Sequence, residues 1–397
     1  MMHRFFIFLL FPLLAGADPR GPEDLVEQAL AHNPALAAAQ ARAEAAAARI
    51  PQAQSLPDPE LGYGYYAQRM NDRQTLMLRQ RFPSPGTRGR RGEVAEAAAG
   101  VADLRADTLR RNLTADMHTL YADLVYLDGT IALFQRNREL YAQTERFLEG
   151  RLEAGRATSA ELLRTRLARA RLEDEIAVLA SRRPALAARL NALLGQSTAT
   201  PLPDLKPLNE VVGRFDHPPA ERDFSRNPEL LALDQTIAGQ RSAIALARQS
   251  GRPDFSLGVE WMDTGSGRQD EIKLLLGVQL PIWRETVRAA GREARAEALA
   301  FTHDRRNREL ALEAEWQEAT ERQRDARRRL ELTRDQLLPQ ARAVLEAEES
   351  AYRSGTSDLL NLIDAQRVLL DLQRMELNAL AEFIRNAAII HRITGQP

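Results

Sequence analysis

Four short stretches of the chain alternate apolar and polar side chains, and most of the remainder repeats its apolar positions every three or four residues. Phe255, Leu257, Val259 and Trp261 alternate with Ser256, Gly258 and Glu260. Ile272, Leu274, Leu276, Val278 and Leu280 alternate with Glu271, Lys273, Leu275, Gly277 and Gln279. Earlier in the chain, Leu61, Tyr63 and Tyr65 alternate with Glu60, Gly62 and Gly64, and Leu76, Leu78 and Phe82 with Thr75, Met77, Arg79 and Arg81. A period of two sends successive side chains to opposite faces of a strand, so every acid and base here falls on one face. The runs are about ten residues long, the span of a tilted transmembrane strand. Soluble hairpins with one face on a core share this period. The aromatic ends Tyr65, Phe82, Trp261 and Trp283 favour a membrane.

The helical pattern is unusually long. Leu109, Leu113, Met117, Leu120, Leu124, Leu127, Ile131 and Phe134 recur in steps of three and four within a proline-free stretch from about residue 92 to 154. At 1.5 Å per residue such a helix is roughly 90 Å long. A second long helix is predicted over 286–353, interrupted only by Pro339, and return helices over 158–195 and 357–394. An Ala-rich helix is expected from Asp24 to Leu56, stopping before Pro57. The predicted strands are 58–67, 73–83, 253–263 and 270–282.

The two halves carry the same punctuation in the same order. Asn33-Pro34-Ala35-Leu36 matches Asn227-Pro228-Glu229-Leu230, and Pro57-Asp58 matches Pro253-Asp254. Phe82-Pro83 matches Leu280-Pro281, and Gly155 with Glu161-Leu162-Leu163 matches Gly355 with Asp358-Leu359-Leu360. The chain therefore reads as two structural repeats, 18–196 and 222–397, joined by a proline-rich segment at 197–221 that lacks helical periodicity. Residues 1–17 read as a secretory signal. A basic start at Met1–Arg4 precedes an apolar run from Phe5 to Leu14 and the small residues Ala15-Gly16-Ala17. An exported chain with transmembrane strands is expected in an outer membrane.

Four strands cannot close a barrel, because outer-membrane barrels begin at about eight strands and open edges are not tolerated in lipid. Several copies must then share one barrel, with Arg79, Arg81, Glu260, Glu271 and Lys273 lining its water-filled interior. The predicted fold is mainly α with a four-stranded transmembrane β contribution, arranged as a duplicated helix-strand-strand-helix repeat.

Composition narrows the function further. The 397 residues hold 54 Lys+Arg and 55 Asp+Glu, a net charge of -1 without a block of one sign, so the electrostatic footprint of a nucleic-acid binder is missing. With no cysteine there is no disulfide, thiolate metal site, thiol nucleophile or acceptor for a lipid anchor. Gly62-x-Gly64-x-x-Ala67 matches a dinucleotide fingerprint only in its letters, since it lies in a strand pattern and opens no helix. Six scattered histidines lack ligand spacing, and no nucleophile elbow or metalloprotease helix is present. No enzyme activity, cofactor or metal site is expected.

The ordered repeats, with the Phe82-Pro83-Ser84-Pro85-Gly86-Thr87-Arg88 run and the glycine-marked turns at Gly155 and Gly355, resemble the TolC family of outer-membrane efflux proteins. Pro57-Asp58-Pro59-Glu60-Leu61 and the Pro-Gly-x-Arg stretch are most similar to its heavy-metal branch, the copper/silver and cobalt-zinc-cadmium types. The resemblance implies a homotrimer with a twelve-stranded barrel and a helical periplasmic tunnel, serving a periplasmic adaptor and an inner-membrane RND-type pump. It assigns adaptor contact to the tips at Gly155-Arg156 and Gly355-Thr356. It places a gate at Asn361 and Asp364, one acid where the family usually has two, and a latch at Tyr352 and Glu161. Drug efflux and type I protein secretion are the alternatives within transport. A structural periplasmic coiled-coil protein is the alternative outside it.

Overall fold

The computed structural model describes residues 18–66, 73–215, 222–263 and 269–395. The expected signal segment 1–17, Ala67 of the first predicted strand and the last part of the inter-repeat segment, 216–221, lie outside the described residues. The chain opens with α1 (Pro22–His32), α2 (Pro34–Ala47) and α3 (Arg49–Gln54), followed by β1 (Glu60–Tyr66) and β2 (Arg73–Phe82). Next come α4 (Thr87–Glu153), α5 (Ser159–Leu193), the single-turn α6 (Leu208–Val211) and a 3-10 turn, Val212–Phe215. The second half holds α7 (Pro228–Gln249), β3 (Asp254–Asp263), β4 (Glu271–Gln279), α8 (Arg284–Leu332), a π-turn (Thr333–Leu337), α9 (Leu338–Ser354) and α10 (Leu359–Thr394). Among the described residues no helix is long and apolar enough to cross a membrane.

Several elements depart from the sequence pattern for identifiable reasons. The single helix expected over 24–56 begins at Pro22 and comes in three pieces; the first break arises because Pro34 cannot donate to the helix before it and Asn33 takes extended backbone, and the second falls at Ala48. α4 starts at Thr87, five residues early. Gly86 turns the chain at φ 91° and Ser84 Oγ meets Thr87 Oγ1 at 2.8 Å, so Gly89 and Gly92 fall inside a helix that tolerates them. The long helix expected over 286–353 divides at the π-turn. That turn precedes Pro339, whose ring and missing N–H disturb the carbonyl four residues earlier. In the inter-repeat segment, Leu208, Val211 and Phe215 are buried by a helical turn that the proline-rich pattern concealed.

The caps are conventional. α5 opens with a capping box in which the Glu161 N–H donates to Thr158 Oγ1 and the Thr158 N–H donates to the Glu161 carboxylate at 2.6 Å. Asn227 caps α7 by accepting the Glu229 N–H at 3.0 Å. Asp358 caps α10 by accepting the Asn361 N–H at 3.0 Å. Gly355 and Gly395 close α9 and α10 in left-handed backbone.

The chain divides into two compact units, each drawing on both sequence repeats. The first comprises Met1–Pro34, Arg111–Glu221 and Trp316–Pro397. Its core follows the α4 seam: Leu113, Met117, Leu120, Leu124, Leu127 and Phe134 are all buried. Tyr121, fully buried, donates its hydroxyl to the Lys206 carbonyl at 2.6 Å, which fastens the inter-repeat segment to α4. A parallel bridge between Arg20 and Leu205 fixes the start of the described chain to the same segment. Near the hairpin turns, Glu145 of α4 accepts from Arg166 of α5 at 2.6 Å and from Arg169 at 2.5 Å.

The second unit comprises Ala35–Arg110 and Arg222–Glu315 and carries the sheet. Its four strands run in the order β1-β2-β3-β4, all neighbours antiparallel. The two hairpins thus lie side by side, joined by β2–β3 pairing from Gln74↔Asp263 to Phe82↔Phe255. The Ser84 N–H donates to Asp254 at 2.7 Å where the strands meet the helices.

Candidate functional site

The register sorts most of the sheet's side chains, with Gln74, Gln80 and Asp263 as the polar residues on the apolar face. One face carries Leu61, Tyr63, Tyr65, Leu76, Leu78, Phe82, Phe255, Leu257, Val259, Trp261, Ile272, Leu274, Leu276 and Val278. None of these is buried, and Leu276 reaches 85% exposure. An apolar face of this extent in open solvent is foreign to soluble sheets, where alternation serves to cover one side.

The opposite face holds all five residues expected to line a pore. Across the sheet, Arg81, Ser256 and Gly277 form one row, and Glu60, Arg79, Gly258 and Leu275 the next. Gly62, Met77, Glu260 and Lys273 follow, then Gly64, Thr75, Met262 and Glu271. Lys273 and Glu260 pair at 3.5 Å. Glu60, absent from the sequence-based site, stands 3.4 Å from Arg81 and 4.0 Å from Arg79. Its position on the charged face was readable from parity, but its partners depend on strand register. β1 and β4 each have a strand neighbour on one side only among the described residues.

The helix-hairpin ends hold the remaining candidates. Gly155 and Gly355 both adopt positive φ, at 67° and 81°, with open space around each. Arg156 and Thr356 sit exposed beside them. Asn361 and Asp364 lie exposed in the first turns of α10. The Asn361 side chain donates to Ser357 Oγ at 3.1 Å.

Tyr352 and Glu161 are not joined. Tyr352 is buried among Leu148, Leu162, Leu359 and Leu362, and its hydroxyl has no hydrogen bond of good geometry. The Arg151 guanidinium lies 5.3 Å from its ring centroid and Phe147 meets it edge-on at 6.5 Å. Burial raises its pKa; the Arg151 charge opposes this and the Glu161 charge adds to it. Glu161 instead spends its carboxylate on the Thr158 cap. Arg151 and Phe147 were missed from sequence, although their i, i+4 spacing on α4 places them on one face. No group of three or more His, Cys, Asp or Glu side chains gathers to hold a metal ion among the described residues.

Residues 25–196 and 223–396 match the family described as outer membrane efflux protein. The chain belongs to this family. The matched segments leave out residues 197–222, which include the whole of the predicted inter-repeat segment. The family's members are ducts of efflux systems in the outer membrane, not enzymes. The chain is 24% identical to the pyoverdine export outer membrane protein OpmQ of Pseudomonas putida, over 94% of this chain and 85% of OpmQ. It is 22% identical to the cobalt-zinc-cadmium resistance protein CzcC of Cupriavidus metallidurans, over 98% and 92% of the two. The outer-membrane channel OprN superposes with a TM-score of 0.80 at 22% identity, over 95% of this chain and 90% of OprN. The fold is therefore that of an outer-membrane channel protomer.

Proposed function

We propose that three copies of this chain close one twelve-stranded barrel, with the apolar sheet face in lipid and the charged face around water, as the passive exit duct of a tripartite efflux system. The observation that carries this reading is the two-faced sheet: an exposed apolar side, a charged side, and two edges that lipid would not tolerate open. In this arrangement residues 1–17 direct export and are removed, and residues 18–196 and 222–397 act as equivalent repeats about the segment 197–221. Energy comes from an inner-membrane RND-type pump. A periplasmic adaptor engages the turns at Gly155-Arg156 and Gly355-Thr356, whose open surroundings leave room for it.

Heavy-metal ions are the proposed cargo, supported by the end-to-end similarity to CzcC. A second reading, export of an organic siderophore, draws equal support from the similarity to OpmQ. A deletion strain separates them. Sensitivity to cobalt, zinc or cadmium supports the first, and loss of siderophore from the medium at unchanged metal tolerance supports the second.

Three copies of Asp364 around the tunnel axis would attract cations and repel one another, forming the gate. Replacing Asp364 with Ala should raise single-channel conductance and weaken block by multivalent cations. Unchanged conductance and block would remove Asp364 from the gate. The reading as a whole requires the protein to sediment with outer membranes and to run as an oligomer; recovery in the soluble periplasmic fraction would restore the coiled-coil alternative.

A further inference from the structure

Three arginines rim an apolar groove on the helices of the second unit. The groove holds about 560 Å³ and runs along α2 and α3 from Arg42 to Arg49, along α4 from Val94 to Arg105, and along α7 from Thr236 to Ala243. Within each stretch the lining residues stand three and four apart, so each helix offers one continuous face. Between the arginines the floor is mostly alanine, with glycine at 239. A Cβ at Gly239 would lie 2.8 Å from that of Ala97, so α4 and α7 approach closely and the floor stays low.

The charge around this floor has one sign. Arg42, Arg49 and Arg105 are exposed, and no acid lines the groove. None of the three enters an ion pair or a side-chain hydrogen bond among the described residues, so their N–H donors are uncommitted. The acids nearest in sequence are turned away or taken. Glu44 stands two residues from Arg42 and Asp103 two from Arg105, and residues two apart on a helix do not face each other. Glu93 accepts from Arg90 at 2.7 Å and from Ser242 at 2.8 Å, and Glu96 accepts from Gln54 at 3.3 Å. Gln240 adds an orphaned group: it lines the groove, and its Oε1 is buried without a hydrogen-bond partner, an acceptor that a ligand hydroxyl or N–H would satisfy.

Position decides which kind of ligand reaches the groove. From Thr87 at the start of α4, its ends at Val94 and Arg105 lie roughly 10 and 27 Å along the helix, at 1.5 Å per residue. The apolar side chains of the sheet lie on the other side of Thr87, so a dissolved molecule meets the groove and a membrane lipid does not.

We propose that this groove binds a dissolved amphipathic oxyanion, with a flat apolar body on the alanine floor and a carboxylate or phosphate held by the arginine rim. Guanidinium matches both headgroups, and covering the floor removes apolar surface from water. The site belongs to one unit of one protomer and stands whether or not the strands close into a shared barrel.

The test is equilibrium dialysis of the full-length protein in lipid nanodiscs, with empty nanodiscs as the blank. The probes are 1-naphthoate, 1-naphthyl phosphate and the uncharged 1-naphthalenemethanol. At least one anion is expected to bind saturably, about tenfold or more tightly than the alcohol and less tightly in high salt. The tighter anion identifies the headgroup. Arg42→Gln/Arg49→Gln/Arg105→Gln should bring that anion down to the level of the alcohol. Ala98→Leu keeps all three charges and fills the floor, so it should weaken anion and alcohol alike. Because Ala98 is exposed and leucine is a good helix former, this variant keeps the test decisive if the triple variant does not assemble. Absence of saturable anion binding, equal binding of anion and alcohol, or binding unchanged in every variant that assembles would overturn the proposal.

Discussion

His118 on α4 shows how one buried side chain couples this molecule to acidity. Its ring meets Phe215 edge-on at 5.1 Å, and its Nδ1 is buried without a hydrogen-bond partner. Burial, with a smaller contribution from His391, lowers its pKa from 6.5 to about 4. The folded state therefore holds this ring neutral where the unfolded chain would protonate it, so stability is complete above pH 6.5 and falls as pH drops towards 4. The loss amounts to about 3 kcal/mol over that window, at roughly 1.4 kcal/mol per pH unit. His118→Leu should flatten the dependence of the thermal midpoint on pH between 7 and 4; an unchanged slope would mean that other groups set it. Tyr352→Phe addresses the latch. Because the hydroxyl is buried without a good partner, its removal should leave stability unchanged or raise it by up to about 1 kcal/mol, and should leave channel conductance as it was. A rise in conductance would reveal a bond made in another state of the duct. At this scale the sequence was a partial guide. Parity alone put Arg79, Arg81, Glu260, Glu271 and Lys273 on one face, whereas the sharing of Glu60 between two arginines and the diversion of Glu161 into a cap depend on register and helix phase.

The same contrast holds for the elements. Alternation fixed the four strands to within a few residues, and six of the eight seam positions of α4 are buried, with Leu109 and Ile131 only partly so. Hidden from the sequence were features decided by single backbone groups: the break at Asn33-Pro34, the early start of α4 after Gly86 and the π-turn ahead of Pro339. The sheet supplies the sharpest test. Leu276 lies 85% exposed on the apolar face, so in a soluble hairpin an arginine there would be nearly neutral. Facing lipid, the same Leu276→Arg change should cost about 2–4 kcal/mol near the bilayer midplane, measured as loss of folded protein in the outer membrane. Normal insertion of this variant would argue that the face does not meet hydrocarbon.

For the whole molecule, the proposed barrel requires each protomer to be completed by its neighbours at β1 and β4, the edges left open among the described residues. The chain has no native cysteine, so engineered pairs report without background. One cysteine on β1 and one on β4, stepped through the possible registers, should give a covalent ladder that stops at three copies; a ladder stopping at two or four would replace the trimer. The sheet order has a further consequence, in time. β2 and β3 join segments that the Ser84–Asp254 bond shows to be 170 positions apart, so the first hairpin leaves the export machinery long before its partner exists. Such distant pairing is slow, and strands waiting for it are prone to aggregate. Biogenesis should therefore depend on a holding chaperone in the periplasm during that interval, and its depletion should deplete this protein before it affects single-hairpin or locally paired barrels.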